Sequence, residues 1–352
     1  MSNSKDQLGI AIVGSGMISE FQATAIGDLP QARVAGFYDR VPELAQKRAS
    51  QYSVSAFATL DEMLASEDVD IVSVCTPSGS HLEPAVAAAK AGKHVMVEKP
   101  VEVTTERVDQ IIAACKETGV TLGAIFPRRF MDSSRVLKQA IDDGRFGILS
   151  LADVYIKWYR TQEYYDSGGW RGTWALDGGG ALMNQGIHGI DMIQWLMGGV
   201  ESVTGMVATR SHERIEVEDV ATASVLYTNG CLGAIEGTTG AWPGSKLRIE
   251  VSGSKGHVVM EDETLVEWKF EDETDEDAKI RERFGPSGGL SGGASDPTAI
   301  DTEGHRRQFD DFVSAIQAGR TPFCDGVEGR NAVAIITSIY QSAREGNVVK
   351  VS

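Results

Sequence analysis

The chain has 352 residues, which at about 100–200 residues per domain predicts two domains and a core that needs neither disulfides nor metals. Its 33 Lys and Arg against 50 Asp and Glu leave a formal charge of −17, which argues against a general affinity for nucleic acid or anionic membrane, since both need a field of basic side chains. A local basic pocket for one small anion stays open.

The opening MSNSKDQ is polar, with no apolar core of a signal peptide, and no apolar run approaches the ~18–20 residues that cross a bilayer. Cys75, Cys115, Cys231 and Cys324 are far apart and form no CxxC pair, as in a reducing cytosol. A soluble, cytoplasmic protein is expected. The first third then alternates strand-like runs, at residues 9–13, 33–38, 70–75, 94–98 and 121–125, with helix-like segments at 18–29, 43–51, 81–91 and 105–118. Strands apolar on both faces with helical crossovers predict a doubly wound parallel α/β domain.

The first predicted strand runs into Gly14-Ser15-Gly16-Met17-Ile18-Ser19. Gly14 allows the tight turn, Gly16 lets a pyrophosphate reach the backbone at a helix N-terminus, and Ser19 stands where a third glycine is usual. Asp39 ends the second strand, 25 residues after Gly14, where a carboxylate accepts both ribose hydroxyls of NAD. Arg40 follows and can meet a 2′-phosphate, so NADP stays open.

From about Leu149 the rhythm changes. Runs at 203–210, 221–227, 231–238, 246–252, 256–260 and 264–270 follow one another across short turns, which predicts an antiparallel meander in a second, α+β domain. The Gly/Ser-rich stretch 285–297 reads as a mobile loop, and amphipathic helices at 303–318 and 326–344 close the chain. Between Tyr155 and Gln185, the residues Tyr155, Trp158, Tyr159, Tyr164, Tyr165, Trp170 and Trp174 are interleaved with glycines including Gly178 to Gly180. Such a loop suits stacking on a sugar ring, with about half of its aromatics expected to serve packing instead.

The motif CTPSGSH at Cys75 to His81, followed after the next strand by Glu98-Lys99-Pro100 and later by NQGIHGID at Asn184 to Asp191, resembles the family of glucose-fructose oxidoreductase, inositol dehydrogenase and MocA. The resemblance implies a Rossmann domain over residues 1–126 and, over 127–352, a substrate-binding and oligomerisation domain on a large open, predominantly antiparallel sheet. It implies a homodimer or homotetramer through that sheet. It also implies that Lys99 and His188 lie beside the nicotinamide. The chemistry agrees, because oxidising a secondary alcohol needs a base for the proton and a charge for the developing alkoxide. His188 has the intrinsic pKa for the first, and the ammonium of Lys99 suits the second. On a helix Asn184 and Asp191 lie at i−4 and i+3 from His188 and share its face; an amide at Asn184 orients substrate, since it cannot relay a proton. Inositol dehydrogenases usually carry an aspartate there, which counts against inositol as the substrate.

The expected cofactor is NAD, held by Gly14, Ser15, Gly16, Met17, Ile18, Asp39, Arg40, Thr76, Pro77, Glu98 and Lys99. His81 either caps its helix or joins that site. The expected substrate contacts are Lys99, Arg129, Arg160, Trp170, Arg171, Asn184 and His188, with Lys157 a further nearby cation, and no metal is expected. The phrase from Tyr164 to Gln185 resembles the branch that oxidises UDP-N-acetylglucosaminuronate-type nucleotide sugars at C3, whose substrates carry a carboxylate and a pyrophosphate. Two other activities stay open: a glycoside-cleaving enzyme that oxidises C3 transiently, and a non-catalytic dinucleotide or sugar sensor.

Overall fold

The computed structural model describes residues 7–286 and 302–352, and these group into two compact units. In the first, β1 (Leu8–Val13), β2 (Ala32–Tyr38), β3 (Ser55–Ala56), β4 (Ile71–Val74), β5 (His94–Val97) and β6 (Leu122–Ala124) form one sheet in the order β3-β2-β1-β4-β5-β6. Every pairing in it is parallel. The order reverses between β1 and β4, which places a ligand crevice at the C-terminal ends of those strands. Ile10, Ile12, Phe37, Ile71 and Val72 are fully buried, so these strands lack the polar alternation of a half-exposed sheet. Edge strand β3 and the helix Leu60–Ala65 were not anticipated, being too short to show a period.

The first unit runs to Pro127, one residue past the expected boundary, and then takes the chain back through Arg330. The helix Glu303–Ala318, expected in the second domain, buries Phe309, Phe312 and Val313 in the core of the first. Its Gln308 amide donates to the Ala124 carbonyl at 2.6 Å and accepts from the Phe126 N–H at 2.9 Å. Together with the Cys324 carbonyl, which accepts from the Ala124 N–H at 3.0 Å, that side chain covers the edge of β6.

The second unit carries β7 (Leu149–Lys157), β8 (Val200–Ala208), β9 (Val220–Tyr227), β10 (Leu232–Thr238), β11 (Arg248–Gly253), β12 (Gly256–Glu261), β13 (Thr264–Phe270) and β14 (Val349–Lys350) in the order β13-β12-β11-β7-β10-β9-β8-β14. The expected meander is interrupted, because β7 inserts between β10 and β11 and pairs parallel to β10. One face of this sheet buries Val154, Ile156, Val225, Ile235 and Val251. The helix Ile187–Met197 lies on that face so closely that a side chain at Gly189 would stand 2.7 Å from Leu247 and 3.0 Å from Val154. The helices Asp132–Asp142 and Gln162–Asp166 were not anticipated either. Of the stretch expected as a mobile loop, residues 287–297 lie outside the described residues, as do the first six of the chain.

Candidate active site

At the dinucleotide end, Gly14 has φ +97°, and a Cβ there would stand 2.6 Å from the Cys75 carbonyl. Only glycine fits this turn. Gly16 caps the helix Met17–Gly27 without a side-chain hydrogen bond, and a Cβ on it would meet nothing within 4 Å. An uncapped helix start with room at its first glycine is what a phosphate seat requires. Ser19 serves in the third glycine's place because it is small and its buried hydroxyl donates to the Gly16 carbonyl at 2.6 Å.

Asp39 follows β2, with its carboxylate accepting from the Ser15 N–H at 2.7 Å and the Val41 N–H at 2.9 Å. That grip fixes the acidic group beside the glycine loop, while Arg40 is exposed. A cavity of about 610 Å³ flanks the loop and is lined by Ser15, Leu44, Lys47 and Arg48 among others.

Thr76 and Pro77 follow β4, where the Thr76 hydroxyl donates to the Ser80 carbonyl at 2.9 Å. His81 makes no side-chain cap to its helix. Its ring nitrogens instead lie 2.8 Å from the Pro100 carbonyl and 2.8 Å from the Thr76 carbonyl. Burial pulls its pKa down, against two carbonyls and Glu102, which favour the charged ring. The side chain clamps the Cys75–His81 loop to the loop that carries Lys99. In the run from Val95 to Val103, Lys99 alone is not buried.

In the second unit the run from Asp177 to Gln194 is buried at every position except His188. The helix leading to it is not uniform: Ala181–Gly186 is a π-helical turn, closed by the Gln185 N–H on the Gly180 carbonyl at 3.3 Å, before the α-helix Ile187–Met197. Asn184 thus lies on the wider turn, and His188 and Asp191 on the α-helix that follows it. Asn184 donates to buried Asp177 at 2.5 Å and accepts from Gln185 at 3.1 Å, which holds its amide at both ends. Asp191 faces Arg129, whose guanidinium grips it in two bonds of 2.8 and 2.6 Å.

Arg129 corrects an expectation. It is 1% exposed and committed to a buried bidentate ion pair, so it stabilises the helix rather than meeting a substrate anion. Within the second unit Arg160, Trp170, Arg171 and Asn184 are brought together, with Arg160 itself buried. The guanidinium of Arg160 lies 5.4 Å from the Trp158 ring and 5.6 Å from that of Tyr164, and the guanidinium of Arg171 lies 4.7 Å from Tyr164 and 4.9 Å from Trp170. The result is a ladder of alternating cations and rings. Gln185 ties it to Asn184, donating to the Tyr164 hydroxyl at 2.9 Å and accepting from Arg160 at 3.1 Å. Among the aromatics, Trp158 and Tyr165 are buried and serve packing. Lys157 pairs with Glu236 on the sheet.

Glu218 was missed by sequence reasoning. It accepts from the N–H groups of Gly180 at 3.0 Å and Leu182 at 2.8 Å and from the Tyr340 hydroxyl at 2.9 Å. It thereby anchors the start of the π-helical turn, and burial pushes its carboxyl up to about 7. The sequence offers no local signal for it, since 38 residues separate it from Gly180. Among the described residues no group of three His, Cys, Asp or Glu side chains is placed to hold a metal ion, and no helix is long and apolar enough to cross a membrane.

Family models match residues 8–126 as the NAD-binding Rossmann fold of an oxidoreductase family and residues 134–259 as the GFO/IDH/MocA C-terminal domain. The WlbA dehydrogenase from Bordetella pertussis, solved in complex with NADH and UDP-GlcNAcA, is 34% identical with a TM-score of 0.90, covering 100% of this chain and 99% of its own. The WlbA enzyme from Chromobacterium violaceum, solved with the same two ligands, is 31% identical with a TM-score of 0.89 over 99% of this chain and 97% of its own. An inositol 2-dehydrogenase from Rhizobium meliloti is 27% identical over 97% of this chain and 98% of its own.

Proposed function

The chain belongs to the GFO/IDH/MocA family of NAD-binding oxidoreductases, and from that membership we propose that it is a cytoplasmic dehydrogenase of a nucleotide-linked sugar uronate, oxidising a ring secondary alcohol at C3. Gly14 to Ile18 and Asp39 hold the dinucleotide, with Thr76, Pro77, His81 and Glu98 shaping its reacting end. When bound, NAD supplies the hydride acceptor. His188 takes the proton of the reacting hydroxyl, and Lys99 donates a charged hydrogen bond to the same oxygen, lowering the alcohol's pKa. Asn184, fixed by Asp177 and Gln185, reads a neighbouring hydroxyl. Arg171 and Trp170 offer the positive, aromatic surface for the substrate's anionic groups, while Arg160, expected beside them, is buried on Gln185 and the Tyr159 carbonyl and supports that surface from behind.

One observation carries this reading: Lys99 and His188 are each the single accessible position in a long buried run, and each has the chemistry that alcohol oxidation demands. The 34% identity to an enzyme solved with UDP-GlcNAcA supports the substrate class. The test is NADH formation by the purified protein from UDP-GlcNAcA, compared with free sugars and glycosides. Lys99→Ala and His188→Ala are expected to lower kcat by about 10²–10⁴ while NADH binding, read by fluorescence, persists. Full turnover in either variant overturns the role given to that residue. Turnover on free sugars alone overturns the substrate class.

A further inference from the structure

A buried chain of polar side chains crosses the first unit behind the glycine loop. Ser73 on β4 donates its hydroxyl to the Gln22 carbonyl oxygen at 2.6 Å, and the Gln22 amide N–H donates to Glu98 Oε1 at 2.6 Å. The other oxygen of Glu98 accepts from the Lys99 backbone N–H at 3.1 Å. Ser73 and Gln22 are fully buried and Glu98 is 5% exposed, so each polar atom depends on the next for a partner. Gln22 lies on the helix Met17–Gly27, whose N-terminus is the phosphate seat. Its amide has one workable orientation, because a serine hydroxyl facing an amide oxygen must donate and a carboxylate must accept.

We propose that Gln22 is a positioning residue that keys the phosphate-seating helix to the catalytic lysine, holding the Glu98 carboxylate in place so that it sets both the backbone and the charge of Lys99. Glu98 is the buried negative charge beside the lysine ammonium. Burial raises its pKa, while Lys99, the Gln22 donor and the Lys99 N–H lower it. The Cys75 thiol just after β4 also faces it, pushed well up by burial and by Glu98 itself. Without the Gln22 donor the carboxylate loses a stabilising bond and takes up a proton more readily. Lys99 then loses its counter-charge.

The inference rests on the role proposed for Lys99, so its test has a readout independent of activity. Infrared titration follows the band of a protonated carboxyl, assigned to Glu98 by its loss in Glu98→Gln. In Gln22→Leu, a near-isosteric apolar change, that band is expected to persist to higher pH than in the parent. With UDP-GlcNAcA and NAD, kcat is expected to fall about tenfold, the equivalent of one pKa unit, while the KM for NAD is little changed.

Gln22→Glu separates positioning from packing. Protonated, it keeps an O–H donor for Glu98 and an acceptor for Ser73, so activity returns at acid pH and is lost as the two carboxyls give up their shared proton. Identical carboxyl titrations in parent and Gln22→Leu overturn the proposal, as does a Gln22→Glu profile parallel to that of the parent. A shifted infrared titration in a protein that oxidises no sugar overturns the proposed function and leaves the Gln22 link standing.

Discussion

Two buried acids, Glu98 and Glu218, underlie the two candidate catalytic side chains, and neither role is visible in its own sequence neighbourhood. Glu98 stands in a motif, but its partner Gln22 lies 76 residues earlier. Glu218 titrates from an ordinary value of 4.5 to about 7, and the sign of its effect on stability follows. The folded state binds the proton more tightly, so this contribution is fully present below about pH 4.5 and is lost as pH rises through about 7, an amount on the order of 3 kcal/mol. Glu218→Gln removes the titration. The denaturation midpoint of that variant, relative to the parent, is expected to rise between about pH 5 and pH 7.5, and a constant difference over this range would show that Glu218 is not the titrating group. The residues proposed in advance were those whose signal is local: Gly14, Gly16 and Asp39 by spacing, Lys99 and His188 by motif.

Among the elements, the triple glycine Gly178 to Gly180 shows how a sequence feature can be recognised and its cause still missed. It reads as a loop breaker. In the fold it is where the chain passes tightly between Glu218 and Tyr340: a Cβ at Gly180 would stand 2.0 Å from the Glu218 carbonyl, and one at Gly179 would stand 2.1 Å from the Tyr340 hydroxyl. Gly180→Ala meets backbone rather than a flexible side-chain tip, so it is expected to destabilise the protein by about 3 kcal/mol or more and to lower kcat by displacing the turn that leads to His188. Gly169→Ala, at a position of the same segment with nothing within 4 Å of its Cβ, is expected to stay within about 0.5 kcal/mol of the parent. Equal melting temperatures for the two variants would contradict the close-packing account. The π-helical turn at Ala181–Gly186 was illegible for a related reason. Its sequence is apolar and helix-compatible, and the groups that hold its start, Glu218 and Tyr340, lie far along the chain.

At the scale of the whole molecule, one face of the second sheet carries exposed apolar side chains among the described residues. Leu151 and Leu232 are directly paired across β7 and β10, and Leu232 is paired with Leu226 on β9. Met206 on β8 is paired with Thr222 on the same face of β9. Leu151, Leu232 and Met206 are 46%, 57% and 78% exposed, and the directly paired Leu151 and Leu232 form an apolar spot of the kind that marks contact sites. We propose that this face joins two subunits. Sedimentation is expected to show an oligomer for the parent and a monomer for Leu232→Arg with Met206→Arg; a monomeric parent, or an unchanged variant, contradicts the assignment. The acidity behaves differently. The segment Glu261 to Arg283 carries eleven acidic and four basic residues, and it forms β13 and the helix Asp275–Phe284 with largely exposed side chains. There the excess charge is a solvated surface, distant in the chain from the arginine and aromatic ladder.

The sequence by itself determined the two fold classes, the parallel nucleotide-binding sheet, and the glycine turn with its acidic neighbour, because each is encoded by short-range periodicity or backbone permission; Lys99 and His188 it offered as candidates through their motifs. Tertiary structure decided the rest. It returned the helix Glu303–Ala318 to the first unit, inserted β7 into the second sheet, spent Arg129 on Asp191, and placed Gln22 and Glu218 beneath the segments they hold. Those outcomes depend on which distant groups can satisfy a buried charge or an open strand edge, and that is settled only when the chain has closed around them.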